Sequence, residues 1–425
     1  MAAKWMVCLS GFLCSQLMLA SPILAQSAAN PEPKASCLND NLELDQRLEP
    51  CNQAVKKWPK DPKIWYARAW VWYLKENDDA AIQDFSKAIE LDPNYNDAYF
   101  YRGRTWVYKG DLAKAITDFS KAIELNPNDS DAFYRRGIAH YRTREDQKAL
   151  DDFAQVIKID EKYVDAFIFR GIVLTDLEEY NQAEMDFKQA LSLNPESDWA
   201  FNSRGVLWLR QSEYAKALSD FEQALKFNDR NTDAYFNRGL VWYKQKNYSK
   251  SVSSFNAAIE LAPGFSDAYY NRGLVYKDSG QYDKAVLDFS EVLKLNHQDL
   301  GAYYQRAWLY ALQQKYNLAH QDLNTSLSIE ENDLESLSIQ AWIYYLQGKT
   351  ETAKQKFEDI LPKIQSPANW VPWLERWSPE LLKNRVITNQ QLKELDQYLA
   401  KTIENDDPIV FSKAINLFMS LKSKN

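Results

Sequence analysis

Arginine and aspartate recur along this chain at one fixed interval and form its most regular charged pattern. Arg68, Arg102, Arg136, Arg170, Arg204, Arg238, Arg272 and Arg306 stand 34 residues apart. Asp84, Asp118, Asp152, Asp186, Asp220, Asp288 and Asp322 keep the same spacing, 16 residues behind each arginine, and Ser254 stands where an acid would match Arg238. A column of guanidinium groups could bind anions. Paired with carboxylates on a neighbouring helix, the same column becomes a set of two-pronged clips, and the matching acids favour that reading. Catalysis has little else to work with. His140 lies at an inner position, His297 at a position where other units carry proline, and His320 on a second helix; none has metal-ligand spacing to another His or Cys. There is no G-x-S-x-G, no phosphate-cradling glycine loop and no H-E-x-x-H. No catalytic residue, metal site or cofactor is expected, and the chain does not read as an enzyme.

The elements that carry these residues are set by the interval. Nine copies of a 34-residue unit fill Asp61 to Ser366 without insertion or deletion, the second running Tyr95–Asn128. A fixed repeat this short marks a stacked array in which each unit buries its apolar face against its neighbours. Counting so that Gly103 is position 8, position 4 carries Trp65, Tyr99, Phe133, Phe167, Phe201, Tyr235, Tyr269 and Tyr303. Position 8 carries Gly103, Gly137, Gly171, Gly205, Gly239 and Gly273, with Ala69, Ala307 and Ala341 toward the ends. Position 20 is Ala except for Ser251, and position 24 is Phe85, Phe119, Phe153, Phe187, Phe221, Phe255, Phe289, Leu323 and Phe357. Each unit therefore reads as two amphipathic helices, A and B. Glycine inside a helix costs up to about 1 kcal/mol, so its recurrence at position 8 implies a packing gain. Small residues at 8 and 20 allow close helix approach, aromatics fill the space beside them, and Pro93, Pro127, Pro195 and Pro263 close helix B.

This pattern resembles the tetratricopeptide repeat (TPR) family in length and in its small, aromatic and proline positions. The resemblance implies an all-α fold, a TPR-type α-solenoid forming a right-handed superhelix of helix-turn-helix repeats with a helical C-terminal cap. Unit nine departs from the pattern at Leu337, Gln340, Ile360 and Gln365 and reads as a transition to that cap. A half-unit precedes the array at 26–60: Cys51, Ala54 and Val55 fall on the frame of Phe85, Ala88 and Ile89, behind a degenerate first helix. The acids at position 2 (Asp97, Asp131, Asp165, Asp233, Asp267) are expected to cap helix A.

Residues 1–25 read as a secretory signal peptide: Lys4, an apolar run from Trp5 to about Ala20, then Ser-Pro-Ile-Leu-Ala. An uncleaved anchor is the alternative, weakened by Ser10, Gly11, Ser15 and Gln16. Cleavage predicts an exported protein, bacterial periplasmic or secreted, with no membrane span and with its formal charge moved from −8 to about −9. Two cysteines remain, Cys37 and Cys51; in an exported chain they favour a disulfide, against a pair of buried thiols. With a pI near 5.2 the chain suits no phosphate backbone, so nucleic acid is not an expected partner. Asn128, Asn247 and Asn324 are glycosylation sequons of consequence only in a eukaryotic secretory pathway.

The resemblance also implies that positions 2, 5, 6, 9, 12 and 13 of helix A line an inner groove. Position 5 supplies Tyr66, Phe100, Tyr134, Phe236, Tyr270 and Tyr304, interrupted by Ile168 and Asn202; position 6 supplies Asn237, Asn271 and Gln305 in successive units. Amides there could pair with the main chain of an extended peptide while rings hold its side chains; the rings could equally pack between A helices. Units six to eight are the expected partner-binding surface. The charged set of the family's carboxylate-clamp form is absent. From Pro367 the composition changes, and Trp370, Trp373 and Trp377 mark the segment 367–425, read as a helical cap or as a docking element. Two functions fit: an exported scaffold holding an extended protein segment or organising an envelope complex, and a glycan-associated component of polysaccharide or envelope assembly.

Overall fold

A computed structural model of the protein describes residues 32–360. The segment 1–25 read as a signal peptide, the end of unit nine and the tail 367–425 with its three tryptophans lie outside the described residues. Among the described residues there are twenty helices and no strand, and no helix is long and apolar enough to cross a membrane. Two compact units divide the chain. Met1–Glu161 holds the N-terminal cap and repeats one to three, and Lys162–Asn425 holds repeats four to nine.

Repeat two shows how the sequence builds one unit. Its A helix spans Asn96–Lys109 and its B helix Leu112–Leu125. Between them, position 15 adopts a left-handed conformation, which lets the chain reverse within two residues. Gly110, Gly280 and Gly348 fill this position in their units; Glu76, Arg144, Glu178, Ser212, Lys246 and Gln314 fill it in the others at φ 58–62°. A non-glycine residue there costs about 1–2 kcal/mol, which the flanking helices must offset. Helix B ends one residue before position 31, whose backbone is extended, as at Asp92 and Asn126. The side chain at 31 accepts a hydrogen bond two residues on, from Asn94 N to Asp92 and from Asn128 N to Asn126. Proline at 32 suits this turn because the residue before a proline prefers extended backbone.

The caps differ from expectation. Helix A is capped from the residue before position 1: Asp61, Asp129, Ser197, Asn231 and Asp299 accept from the backbone N–H groups of the first turn. The acids at position 2 lie already inside that turn, as Asp131 and Asp233 do, where they complement the helix dipole without capping it.

Glycine at position 8 receives a phenylalanine edge. A Cβ added at Gly205 would lie 2.5 Å from Phe221 Cε1, and at Gly103 2.9 Å from Phe119 Cε1. The position-24 phenylalanines from Phe85 to Phe289 are fully buried, each contributing roughly 2–3 kcal/mol of apolar burial. Ala307 faces this column where unit eight has Leu323 instead of Phe, while Ala69 accompanies Phe85 in unit one.

The arginine–aspartate columns close as clips. In every unit with an acid at position 23, the arginine Nε and Nη2 donate to the two carboxylate oxygens of its own B helix at 2.6–3.0 Å. The third guanidinium nitrogen reaches back to the preceding B helix, from Arg102 to Ser86, Arg136 to Ser120 and Arg306 to Ser290. Burial pushes the carboxyls of Asp84 and Asp288 above the usual range even against the arginine's pull. Such pairs fix register more than they add stability. In unit nine Gln340 substitutes, donating to Asn324 at 3.4 Å.

Candidate functional site

The N-terminal cap ends in a pocket. Helices Pro33–Cys37 and Leu44–Lys57 are linked by Cys37 and Cys51, whose sulfurs lie 2.04 Å apart. Arg47, buried beneath them, donates from Nε and Nη2 to Cys37 O at 3.2 and 3.0 Å and pairs with Asp40 through Nη1 at 2.9 Å. Its charge is therefore spent on holding the cap loop in place. That loop and the first two A helices enclose a cavity of about 560 Å³ lined by Leu38, Leu42, Lys63, Tyr66, Trp70, Tyr95 and Tyr101, among others. In repeat numbering, Lys63, Tyr66 and Trp70 are positions 2, 5 and 9 of unit one, and Tyr101 is position 6 of unit two. The pocket thus stands on columns assigned to the inner face.

Its rings support one another. Tyr66 stacks on Tyr95 with centroids 4.9 Å apart, and Trp70 meets Tyr101 edge-on at 4.5 Å. Tyr73 lies over Trp70 at 5.5 Å and shares a hydrogen bond of 3.3 Å between its hydroxyl and that of Tyr108. Arg104 sits 5.5 Å from the Tyr101 ring. Burial, reinforced by the charge of Asp97, raises the Tyr66 phenol far above its ordinary range and pushes Tyr95 up to about 12. Both phenols therefore stay neutral near neutral pH and offer O–H donors, not bases or nucleophiles. Lys63 is the exposed cation at the rim. The arrangement can hold an apolar or aromatic side chain with hydrogen bonds at its edge.

The sequence-predicted residues are placed differently. The position-5 rings turn to their own unit's position-24 phenylalanine: Tyr66–Phe85, Phe100–Phe119, Tyr134–Phe153, Phe236–Phe255 and Tyr270–Phe289 have centroids 5.4–6.0 Å apart. Tyr304 packs on the core of units eight and nine. Tyr66 alone among them also lines the pocket. The amides are engaged as well. Asn237 donates to Asn202 at 3.1 Å, Asn271 to the backbone of Asp267 at 2.8 Å, and Gln305 accepts from Lys277 at 3.2 Å. Gln305 is 2% exposed and so does not present the open amide expected of it. Asn237 and Asn271 are half-buried.

Sequence reading missed Trp70, Tyr95 and Tyr101. Units one and two carry aromatic residues at positions 6, 9, 12 and 13 (Tyr101, Trp70, Tyr73, Tyr108), but Phe169, Trp308 and Tyr243 stand at the same positions elsewhere, so the columns do not single out this end. Among the histidines, His140 Nδ1 lies 2.6 Å from Glu145, His320 packs on Tyr344 at 4.7 Å, and His297 is exposed. No group of three potential metal ligands occurs among the described residues.

Family models match almost the whole stretch 62–299. Tetratricopeptide repeat models match 62–95, 131–160, 170–229, 209–264 and 266–299, and a TPR repeat model matches 103–143. No curated protein matches the chain in sequence. Among solved structures, a tetratricopeptide repeat protein from Parabacteroides merdae is similar at 22% identity over 58% of this chain and 98% of its own, with a TM-score of 0.45. YrrB, described as a TPR protein with an unusual peptide-binding site, is similar at 24% identity over 44% of this chain and 97% of its own, TM-score 0.34. The Pseudomonas aeruginosa protein pilF is similar at 19% identity over 50% of this chain and 96% of its own, TM-score 0.43. On its repeats, its helix pairs and these family matches, the chain belongs to the tetratricopeptide repeat family of protein-interaction scaffolds.

Proposed function

We propose that this scaffold holds an extended segment of a protein partner, anchored by one apolar or aromatic side chain in the N-terminal pocket. The observation that carries this reading is the 560 Å³ cavity walled by Trp70, Tyr66, Tyr95 and Tyr101 on inner-face columns. A cavity of that size takes a single large side chain with room for the chain on either side. Rings already packed on one another lose little freedom when the anchor enters, and anchors of this kind dominate binding energy. Asn237 and Asn271 lie in the other compact unit and form a separate candidate surface, whose amides become available to a peptide main chain once their internal bonds exchange. The apolar segment 1–25 and the Cys37–Cys51 pair support placing this work outside the cytosol, in a bacterial envelope.

The experiment is affinity capture of envelope proteins by the full chain, compared with Trp70→Ala plus Tyr101→Ala and with Asn237→Ala plus Asn271→Ala. Capture should fall more than tenfold with the first pair, a loss of roughly 2 kcal/mol, and only a few-fold with the second. Capture unchanged by the ring pair removes the pocket from the reading. Retention of polysaccharide fractions in place of protein, lost with the same rings, would instead support a glycan-associated role.

A further inference from the structure

Repeat six keeps every donor of the clip and lacks its carboxylate. In repeat five, Asp220 accepts from Arg204 Nε and Nη2, both at 2.8 Å, and from the indole Nε1 of Trp208 at 3.1 Å, with Lys216 above that indole at 4.5 Å. Repeat six repeats the frame with Arg238, Trp242 and Lys250, the ammonium 4.2 Å from the indole centroid. Ser254 stands where the acid would be. Arg238 Nε donates to Ser254 Oγ at 3.1 Å, and its ring contact is Tyr235 at 5.1 Å. Among the described residues no acid lies within ion-pair range of Arg238. Glu222, which takes the place of Ser86 or Ser290 on the preceding B helix, is exposed and outside that range. Ser254 is 1% exposed, whereas Arg238 and Trp242 are partly open; the slot is the solvent-reachable edge of the Arg238 guanidinium beside Ser254 and Trp242.

We infer that this slot binds a carboxylate group supplied from outside the repeat. The Arg238 Nη atoms and the Trp242 indole N–H stand at the repeat positions whose counterparts in repeat five, Arg204 Nη2 and Trp208 Nε1, hold a carboxylate. Serine is shorter than aspartate and its hydroxyl takes the place of the carboxyl carbon, so an external carboxylate docks on the outer Nη edge of Arg238 beside that hydroxyl. Lys250 and Arg238 give the slot positive potential without a local acid to cancel it. A free monocarboxylate and an acidic side chain of a bound protein segment share this chemistry. The site is independent of the N-terminal pocket and stands or falls separately from it.

The test follows the Trp242 indole resonance in the full ¹⁵N-labelled chain, assigned by Trp242→Phe. Sodium formate is titrated at constant ionic strength into the wild type, Ser254→Asp and Arg238→Gln. The wild-type resonance should shift and saturate. Ser254→Asp fills the slot with its own carboxylate and should not respond. Arg238→Gln, which places at position 7 the residue that unit nine carries naturally as Gln340, should weaken binding by about tenfold or more. A parallel titration with N-acetylglutamate amide separates the sources: a saturable shift with both probes assigns the slot to a side chain of a partner, and a shift with formate alone assigns it to a free small anion. An unsaturable response in the wild type, or an equal response in Ser254→Asp, overturns the site.

Discussion

Gly205→Ala measures what the glycine column is for. The added Cβ would meet Phe221 Cε1, Cδ1 and Cζ at 2.5, 2.8 and 3.0 Å, and Phe221 is fully buried, so the ring has no solvent side to retreat to. Overpacking of this kind costs about 1–3 kcal/mol, against a helix-propensity gain of up to about 1 kcal/mol for replacing glycine. The ring contact should prevail, with a net loss of about 1–2 kcal/mol. Unit one, which accommodates Ala69 beside Phe85, argues for the lower end of that range. At Gly273 the same Cβ would lie 3.1 Å from Phe289, so the opposing effects should nearly cancel. Adding Phe221→Leu copies unit eight, where Ala307 and Leu323 occupy the two positions. The double mutant should recover about 1 kcal/mol relative to the sum of the single changes. Because an array opens locally, the assay is native-state hydrogen exchange at amides of Asp198–Arg210 and Tyr214–Phe227. Gly205→Ala more stable than wild type, or equal losses at Gly205 and Gly273, would refute the reasoning, since propensity alone would then govern the column.

Three further outcomes follow from the geometry. Ser212→Gly relieves a residue held at φ 60° and should stabilise repeat five by about 0.5–1 kcal/mol by the same exchange measurement. His320 is held below its ordinary value by burial and then by Lys349. Its contribution is fully present above the unfolded value, near 6.5, and is lost as the pH falls through the lower folded value. Protection of helix Tyr316–Ile329 should therefore weaken on acidification, and His320→Gln should flatten that part of the profile. Replacing Cys37 and Cys51 with alanine opens a loop of sequence separation 14, worth about 3 kcal/mol in the chain-entropy model. The loss should be confined to the cap, and protease cleavage near Asn39 should report it.

Helix pairing was legible because periodicity constrains every unit at once: a glycine facing a phenylalanine in six successive units cannot be accidental, and an arginine matched by an acid at a fixed offset has to be paired. The vacancy at Ser254 was visible for the same reason, as a break in a column. The helix caps were misplaced by two residues, since Asp61 and Asp129 before the helix and Asp131 within it satisfy the same compositional rule, and only backbone dihedrals separate them. Gln305 was misread because its contacts are not legible in the column: Asn237 is half-buried against Asn202, whereas Gln305 meets Lys277 and is buried. The pocket lay beyond periodic reasoning altogether. It depends on the path of the cap from Cys37 to Cys51, which occurs once and leaves no repeat to compare.

The central claim is that an extended partner segment is anchored beside Trp70, and site-specific photocrosslinking tests it most directly. A photoreactive residue placed at exposed Lys63, on the pocket rim, is compared with one at Met185, a 70% exposed residue of a B helix. Crosslinks from Lys63 should map to one short stretch of a single partner flanking a large apolar residue, and should vanish with Trp70→Ala. Crosslinks that arise equally from Met185, or that persist from Lys63 without the Trp70 ring, would contradict the account.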